Sequence, residues 1–127
     1  MSKLLSRCWF FFAVLTLSCS VWAKTSIVAE GVIDVVPLSS LPAEVRQTLG
    51  LIKQGGPYPY AKDGVVFGNY EGVLPRQKRG YYHEFTVATP GERHRGARRI
   101  IVGGNAQKSG EYFYTQDHYR TFQRIRE

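Results

Sequence analysis

Beyond residue 23 the chain has no cysteine and no tryptophan; Cys8, Cys19, Trp9 and Trp22 all fall before that point. A domain built from the remainder therefore has no disulfide, and Cys-x-x-Cys metal or redox chemistry is excluded. No His-Glu-x-x-His motif occurs, and no glycine-rich loop joins a strand to a helix, which removes the common zinc-hydrolase and nucleotide signatures. His83, His94 and His118 lack metal-ligand spacing, and no nucleophile elbow is present. Acidic residues are scarce as well, 10 against 17 lysines and arginines, for a formal charge of +7. That excess points to an anionic partner: nucleic acid, membrane or acidic polymer.

What the chain does have begins with a leader-like segment. Lys3 and Arg7 give a positive start, Cys8 to Leu17 an apolar core too short to span a membrane, and Val21-Trp22-Ala23 a small-residue exit site before Lys24. Residues 1–23 are thus expected to be a secretory signal peptide, and the protein to be secreted. An uncleaved anchor and a lipoprotein at Cys19 are weaker alternatives, the second because Thr16-Leu17-Ser18 matches a lipobox poorly. Without the leader, 104 residues remain, with 15 basic against 10 acidic side chains, enough for one domain. Residues 24–35 read as an N-terminal extension or first strand, and 36–127 as the functional domain.

Basic residues concentrate in the centre, from Arg76 to Arg99, interleaved with tyrosines. That arrangement suits a phosphate backbone and stacked bases better than a lipid surface, although a solvated face has the same composition. No strongly amphipathic basic helix appears, which disfavours a membrane-active role.

The secondary-structure signals describe an α+β domain. Leu41 to Lys53 carries a helical stripe of Leu41, Val45, Leu49 and Ile52, with Pro42 and Glu44 at its start and Gly55-Gly56-Pro57 at its end. Pro57 to Gly72 is rich in turn formers and aromatics and reads as a long functional loop. Tyr81 to Val87 alternates as a strand, with Tyr82, Glu84 and Thr86 on one face and Tyr81, His83, Phe85 and Val87 on the other. A turn at Thr89–Glu92 leads into a basic return ending in Arg99-Ile100-Ile101-Val102. Glu111–Thr115 and Tyr119–Ile125 read as two further strands around a tight turn at Gln116-Asp117-His118. The expected architecture is one N-terminal helix packed on a twisted antiparallel β-sheet, leaving the other face free.

The chemistry-bearing residues left over are Glu84, His118 and the arginines. A carboxylate on one strand and a histidine in a turn can flank one phosphate, as acid–base transphosphorylation of RNA requires. A cross-strand ion pair between Glu84 and Arg99, with Asp117 and His118 closing a turn, accounts for the same spacing equally well.

The wording of the sequence is more specific than its spacing. Gly56-Pro57-Tyr58-Pro59-Tyr60, Asp63-Gly64-Val65-Val66-Phe67, Glu71-Gly72-Val73-Leu74-Pro75, Tyr81-Tyr82-His83-Glu84-Phe85-Thr86-Val87, Arg95-Gly96-Ala97-Arg98-Arg99 and Asp117-His118-Tyr119 occur in that order. Between Val36 and Ile125 the chain resembles the guanyl-specific bacterial ribonucleases of the barnase superfamily, in particular the small secreted enzymes of filamentous soil bacteria.

That resemblance implies the microbial ribonuclease fold and a metal-independent endonuclease that cleaves single-stranded RNA after guanosine through a 2′,3′-cyclic phosphate. It implies Glu84 as general base, His118 as general acid, and Arg95 and Arg99 as the phosphate-binding cations. It places guanine against Phe67, Asn69, Tyr70, Glu71 and Tyr119: Glu71 accepts from the base, the backbone near Asn69 and Tyr70 donates to it, and Phe67 and Tyr119 stack. No cofactor and no metal is implied. A monomer is implied, and a barstar-like acidic inhibitor protein is the macromolecular partner to look for. The terminal disulfide usual in such enzymes is missing, and Gly68 and Tyr70 differ from their base loop, so guanine preference is expected to be looser. A non-catalytic RNA-binding module on this scaffold and an antibacterial RNase toxin are the rival readings.

Overall fold

A computed structural model describes residues 31–127; the expected leader, residues 1–23, lies outside the described residues. Among them one α-helix packs on one face of a six-stranded sheet. In chain order the elements are β1 (Asp34–Pro37), a 3₁₀ turn (Leu38–Ser40), α1 (Ala43–Gln54), β2 (Val65–Phe67), β3 (Tyr82–Thr86), β4 (Arg99–Gly103), β5 (Glu111–Thr115) and β6 (Gln123–Arg126). The strands lie in the order β1-β6-β5-β4-β3-β2.

The helix forms where its stripe predicts. Leu41, Val45, Leu49 and Ile52 are all buried. Pro42, at φ −53° and ψ 150°, serves as the N-cap, and Glu44 sits in the first turn. Gly55 ends the helix in the left-handed region, its N–H reaching back to Ile52 and Leu51. The stripe meets Phe85, Val87, Ile100, Val102, Tyr112, Tyr114 and Ile125, which form the principal core.

Four expectations need correction, three of them in the strands. The sheet is not wholly antiparallel: β1 pairs in parallel with β6, Asp34 opposite Gln123 and Pro37 opposite Arg126. The end of the segment read as an N-terminal extension or first strand thus enters an edge strand at the far end of the sheet. The long loop contains β2, paired with β3 so that Val65 faces Glu84 and Phe67 faces Tyr82. Its three residues were masked by the turn formers around them. The last strand begins at Gln123, not Tyr119. Positive φ at His118 (54°) and Tyr119 (72°) is incompatible with strand geometry, so residues 116–122 form a structured loop instead.

The alternation along β3 divides core from site. Phe85 and Val87 enter the helix-side core, while Tyr82, Glu84 and Thr86 emerge on the opposite face. Tyr81 departs from its expected side. It precedes β3 rather than belonging to it, and its ring packs edge-on against Tyr82, centroids 5.0 Å apart. A second, smaller apolar cluster of Leu74, Tyr82, Ile101, Phe113 and Phe122 fills part of the opposite face.

Candidate active site

On that face β3, β4 and β5 present Glu84, Thr86, Arg99 and Thr115 side by side, all buried. Register explains the grouping: Thr86 pairs with Arg99, and Arg99 with Thr115. Glu84 pairs with Ile101, so it and Arg99 are not cross-strand partners. The carboxylate is instead claimed by two side chains from loops. Arg95 donates from Nη2 to Glu84 Oε1 at 3.1 Å, and its Nε donates to Thr86 Oγ1 at 3.1 Å. The Tyr119 hydroxyl donates to Glu84 Oε2. The alternative of a Glu84–Arg99 cross-strand ion pair is therefore not realised; the pair that forms is Glu84–Arg95.

Arg99 is the more telling residue. It is 2% exposed, and its Nη1 donates to the carbonyls of Gly96 (2.9 Å) and Arg98 (2.7 Å). Its Nε is buried without a partner, and none of the ion pairs among the described residues includes it. Burying an unpaired cation is costly. A guanidinium held in place by backbone carbonyls, with a donor left over, is arranged to receive an anion.

His118 and Tyr119 arrive on the loop after β5, and Asp117 shapes that loop. Its carboxylate accepts from the Thr121 amide (2.9 Å), the Thr121 hydroxyl (2.6 Å) and the Thr115 hydroxyl (2.9 Å). The Tyr119 amide donates to Thr115 Oγ1 at 3.1 Å, and the His118 amide to Ala97 O at 3.2 Å. These bonds hold two successive residues in the left-handed region. Burial works to raise the Asp117 pKa, but the hydrogen bonds from Thr121, Thr115 and the Arg120 amide outweigh it and hold the carboxyl below its ordinary value. His118 is exposed, its ring 4.6 Å from that of Tyr119 and tilted by 51°. Histidine and glutamate therefore stand on the same side of the sheet, joined through Tyr119. Burial first, and then the hydrogen bond to Glu84, push the Tyr119 hydroxyl up to about 12, against the opposing pull of Arg99.

Next to Glu84 opens a cavity of about 280 Å³ lined by Val66, Phe67, Asn69, Tyr70, Glu71 and Tyr119, among others. Its volume suits a single planar base. Phe67 on β2 is half-buried; its ring lies 5.0 Å from Tyr119 and 6.2 Å from Phe122. The two expected stacking residues thus lie in tilted contact with each other, their planes 32° apart, and both line the cavity. Asn69 clamps the loop: its side chain donates to Leu74 O (3.0 Å) and accepts from Leu74 N (3.2 Å), with φ 51°. Its carbonyl accepts from the Gly72 amide at 3.0 Å, which leaves the backbone N–H for a ligand. Tyr70 is 85% exposed and lies over Gly68, where an added Cβ would meet its ring at 2.5 Å. Glu71 is exposed at the cavity's edge, with no ion-pair partner among the described residues.

All nine residues singled out in the sequence thus lie on one face, in two adjoining groups. Thr86, Thr115 and Asp117 were missed as contributors. The Thr115-x-Asp117 spacing of a side-chain-capped turn was the available signal. Among the described residues no group of three or more His, Cys, Asp or Glu gathers as a metal site.

A family model described as ribonuclease matches residues 24–126. The chain belongs to the ribonuclease family. Within it, the chain is 59% identical over 90 residues to guanyl-specific ribonuclease Sa of Kitasatospora aureofaciens, covering 71% of this chain and 91% of that protein. It is 56% identical over 87 residues to guanyl-specific ribonuclease Sa3 of the same organism, covering 68% of this chain but only 60% of that longer protein. Among solved structures, ribonuclease Sa2 in complex with mononucleotides superposes with a TM-score of 0.70 at 49% identity, covering 75% of this chain and 95% of that one. Ribonuclease Sa2 has also been crystallised with guanosine-2′-cyclophosphate.

Proposed function

We propose that this protein is an endoribonuclease that cleaves single-stranded RNA on the 3′ side of guanosine, first to a 2′,3′-cyclic phosphate and then by hydrolysis. The observation that carries the reading is the buried, carboxylate-free Arg99 beside a Glu84 already gripped by Arg95, at the mouth of a base-sized cavity. In the first step Glu84 takes the 2′-hydroxyl proton as that oxygen attacks phosphorus, and His118 protonates the departing 5′-oxygen. The two exchange roles when water opens the cyclic ester. Arg95 and Arg99 bind the phosphoryl oxygens and offset the charge that grows in the pentacoordinate transition state. A scissile phosphate takes over part of the Arg95 guanidinium and frees a Glu84 lone pair for the 2′-hydroxyl.

In the base cavity Glu71 accepts from the ring imide and exocyclic amine of guanine, and amides near Asn69 and Tyr70 donate to its keto oxygen. Phe67 and Tyr119 supply the aromatic surface. Adenine lacks the paired donors and leaves the carboxylate unmatched. The guanyl-specific relatives and the cyclophosphate complex of ribonuclease Sa2 support this assignment. The enzyme acts as an exported monomer, its leader removed near Ala23. An acidic barstar-like inhibitor is the protein partner that the basic face would take.

The test is incubation of the mature domain with GpC and ApC in EDTA, following the cyclic product. Cleavage of GpC by at least about a hundredfold over ApC is expected; equal cleavage would refute the base assignment. Binding of guanosine 3′-phosphate with no cleavage of GpC would identify a non-catalytic binding module instead.

A further inference from the structure

Arg79 is not used by the chemistry above, yet it is tied to the base cavity. Its Nη1 donates to the Tyr70 hydroxyl at 3.2 Å, linking the rim of the cavity to the exposed segment Arg76-Gln77-Lys78-Arg79. That segment is anchored on both sides. Before it, the Asn69 clamp grips Leu74, and the Tyr82 hydroxyl donates to Pro75 O at 2.6 Å. After it, the Tyr81 amide donates to Lys78 O at 3.1 Å. None of Arg76, Lys78 and Arg79 has an ion-pair partner among the described residues.

Position gives these charges a direction. Arg99 lies on β4, Glu84 on β3 and Phe67 on the edge strand β2, with Tyr70 in the loop beyond it. The cavity therefore has one cationic group, Arg95 and Arg99, at its Glu84 end, and a further cation, Arg79, past its Tyr70 end, with Lys78 next to it in the chain. A nucleoside whose 3′-phosphate sits by Arg95 and Arg99 sends its 5′-oxygen out on the opposite side of the ribose. We propose that Arg79, with Lys78, forms a subsite for the phosphate on the 5′ side of the recognised nucleoside, so that the enzyme reads an internal RNA nucleotide by both its phosphates. The proposal rests on the ribonuclease reading.

Calorimetry at low salt on the mature domain tests it, comparing guanosine 3′,5′-bisphosphate with guanosine 3′-phosphate, so that the 3′-phosphate site is filled in both. The bisphosphate is expected to bind about fivefold more tightly, the upper end for one exposed ion pair, and to lose that advantage as salt rises. Lys78→Ala with Arg79→Ala is expected to bring the ratio to about one. Arg46→Ala, a cation removed from the helix on the opposite face, is expected to leave it unchanged. Equal affinities in the unmodified protein would overturn the subsite while leaving the ribonuclease reading intact. A ratio that survives the double substitution, or falls as far with Arg46→Ala, would overturn it in favour of the protein's overall charge. If neither nucleotide binds, the ribonuclease reading itself fails and the subsite with it.

Discussion

The two faces of the sheet use the same strands for different ends. On the helix side, Val45, Ile52, Val87, Ile100 and Val102 are fully buried, and close-packed apolar contact does most of the holding. On the other side the buried positions include Glu84, Thr86, Arg99 and Thr115, held by hydrogen bonds that leave Arg99 Nε unanswered. Phe85 and Glu84 are chain neighbours, yet one belongs to the core and the other to the site. The lesson is that stability and chemistry are separated here by one pleat rather than by distance.

Substitutions chosen from the two faces can break that separation or sharpen it. The largest effect is expected from Glu84→Gln, which keeps the shape and removes the proton acceptor. Turnover of GpC should fall by about 10²–10⁴-fold while guanosine 3′-phosphate still binds; a loss under tenfold would break the division of labour. Next comes Leu49→Ala on the helix side, where deleting a buried side chain should cost about 2–5 kcal/mol in urea unfolding with kcat/KM of the folded protein unchanged. Arg99→Met should also divide the readouts: activity drops sharply, whereas stability changes little, because removing an unsatisfied buried charge offsets the lost bonds to the Gly96 and Arg98 carbonyls.

Asp117→Ala should cost about 0.5–2 kcal/mol, the range for a lost side-chain cap, and lower kcat more than it raises KM if the loop positions His118. Since the folded-state pKa of Asp117 is depressed, its contribution is present above the ordinary carboxylate value near 3.8 and fades as pH falls below that. The stability difference between wild type and variant should therefore narrow in acid. The smallest effect lies at the other end of the scale. Tyr119, raised to about 12 from 10.0, favours folding below pH 10 and loses that contribution as pH climbs toward 12. Tyr119→Phe should flatten that part of the alkaline unfolding profile; an unchanged profile would indicate that Tyr82, also raised to about 12, dominates it.

The elements most legible in the sequence were those with a clean period: the helix stripe, and the alternation that sets Glu84 apart from Phe85. Less legible was whatever depends on a distant partner. β1 becomes a strand only because β6 lies beside it, and β2 only because β3 does. The site followed the same rule. Glu84 and His118 were visible as residue types, and the family resemblance fixed their expected roles, but the choice of Arg95 over Arg99 as the carboxylate's partner depends on sheet register and on a loop of Arg93–Arg98 that no local pattern describes. Asp117 was readable as a turn former and not as the brace for two left-handed residues.

The parallel contact between β1 and β6 joins residue 34 to residue 123, so the intervening chain must be closed into a loop before that ladder forms. With Val35 57% exposed, this part of the chain is held by Val36 and Leu38 on the helix side and Ile33 on the other, all only partly buried. It should be the last piece to dock and the first to fray, and amide exchange should be fastest there within the sheet. When it lifts away, the edge it uncovers carries Arg124 and Arg126, whose like charges discourage a second molecule from taking its place.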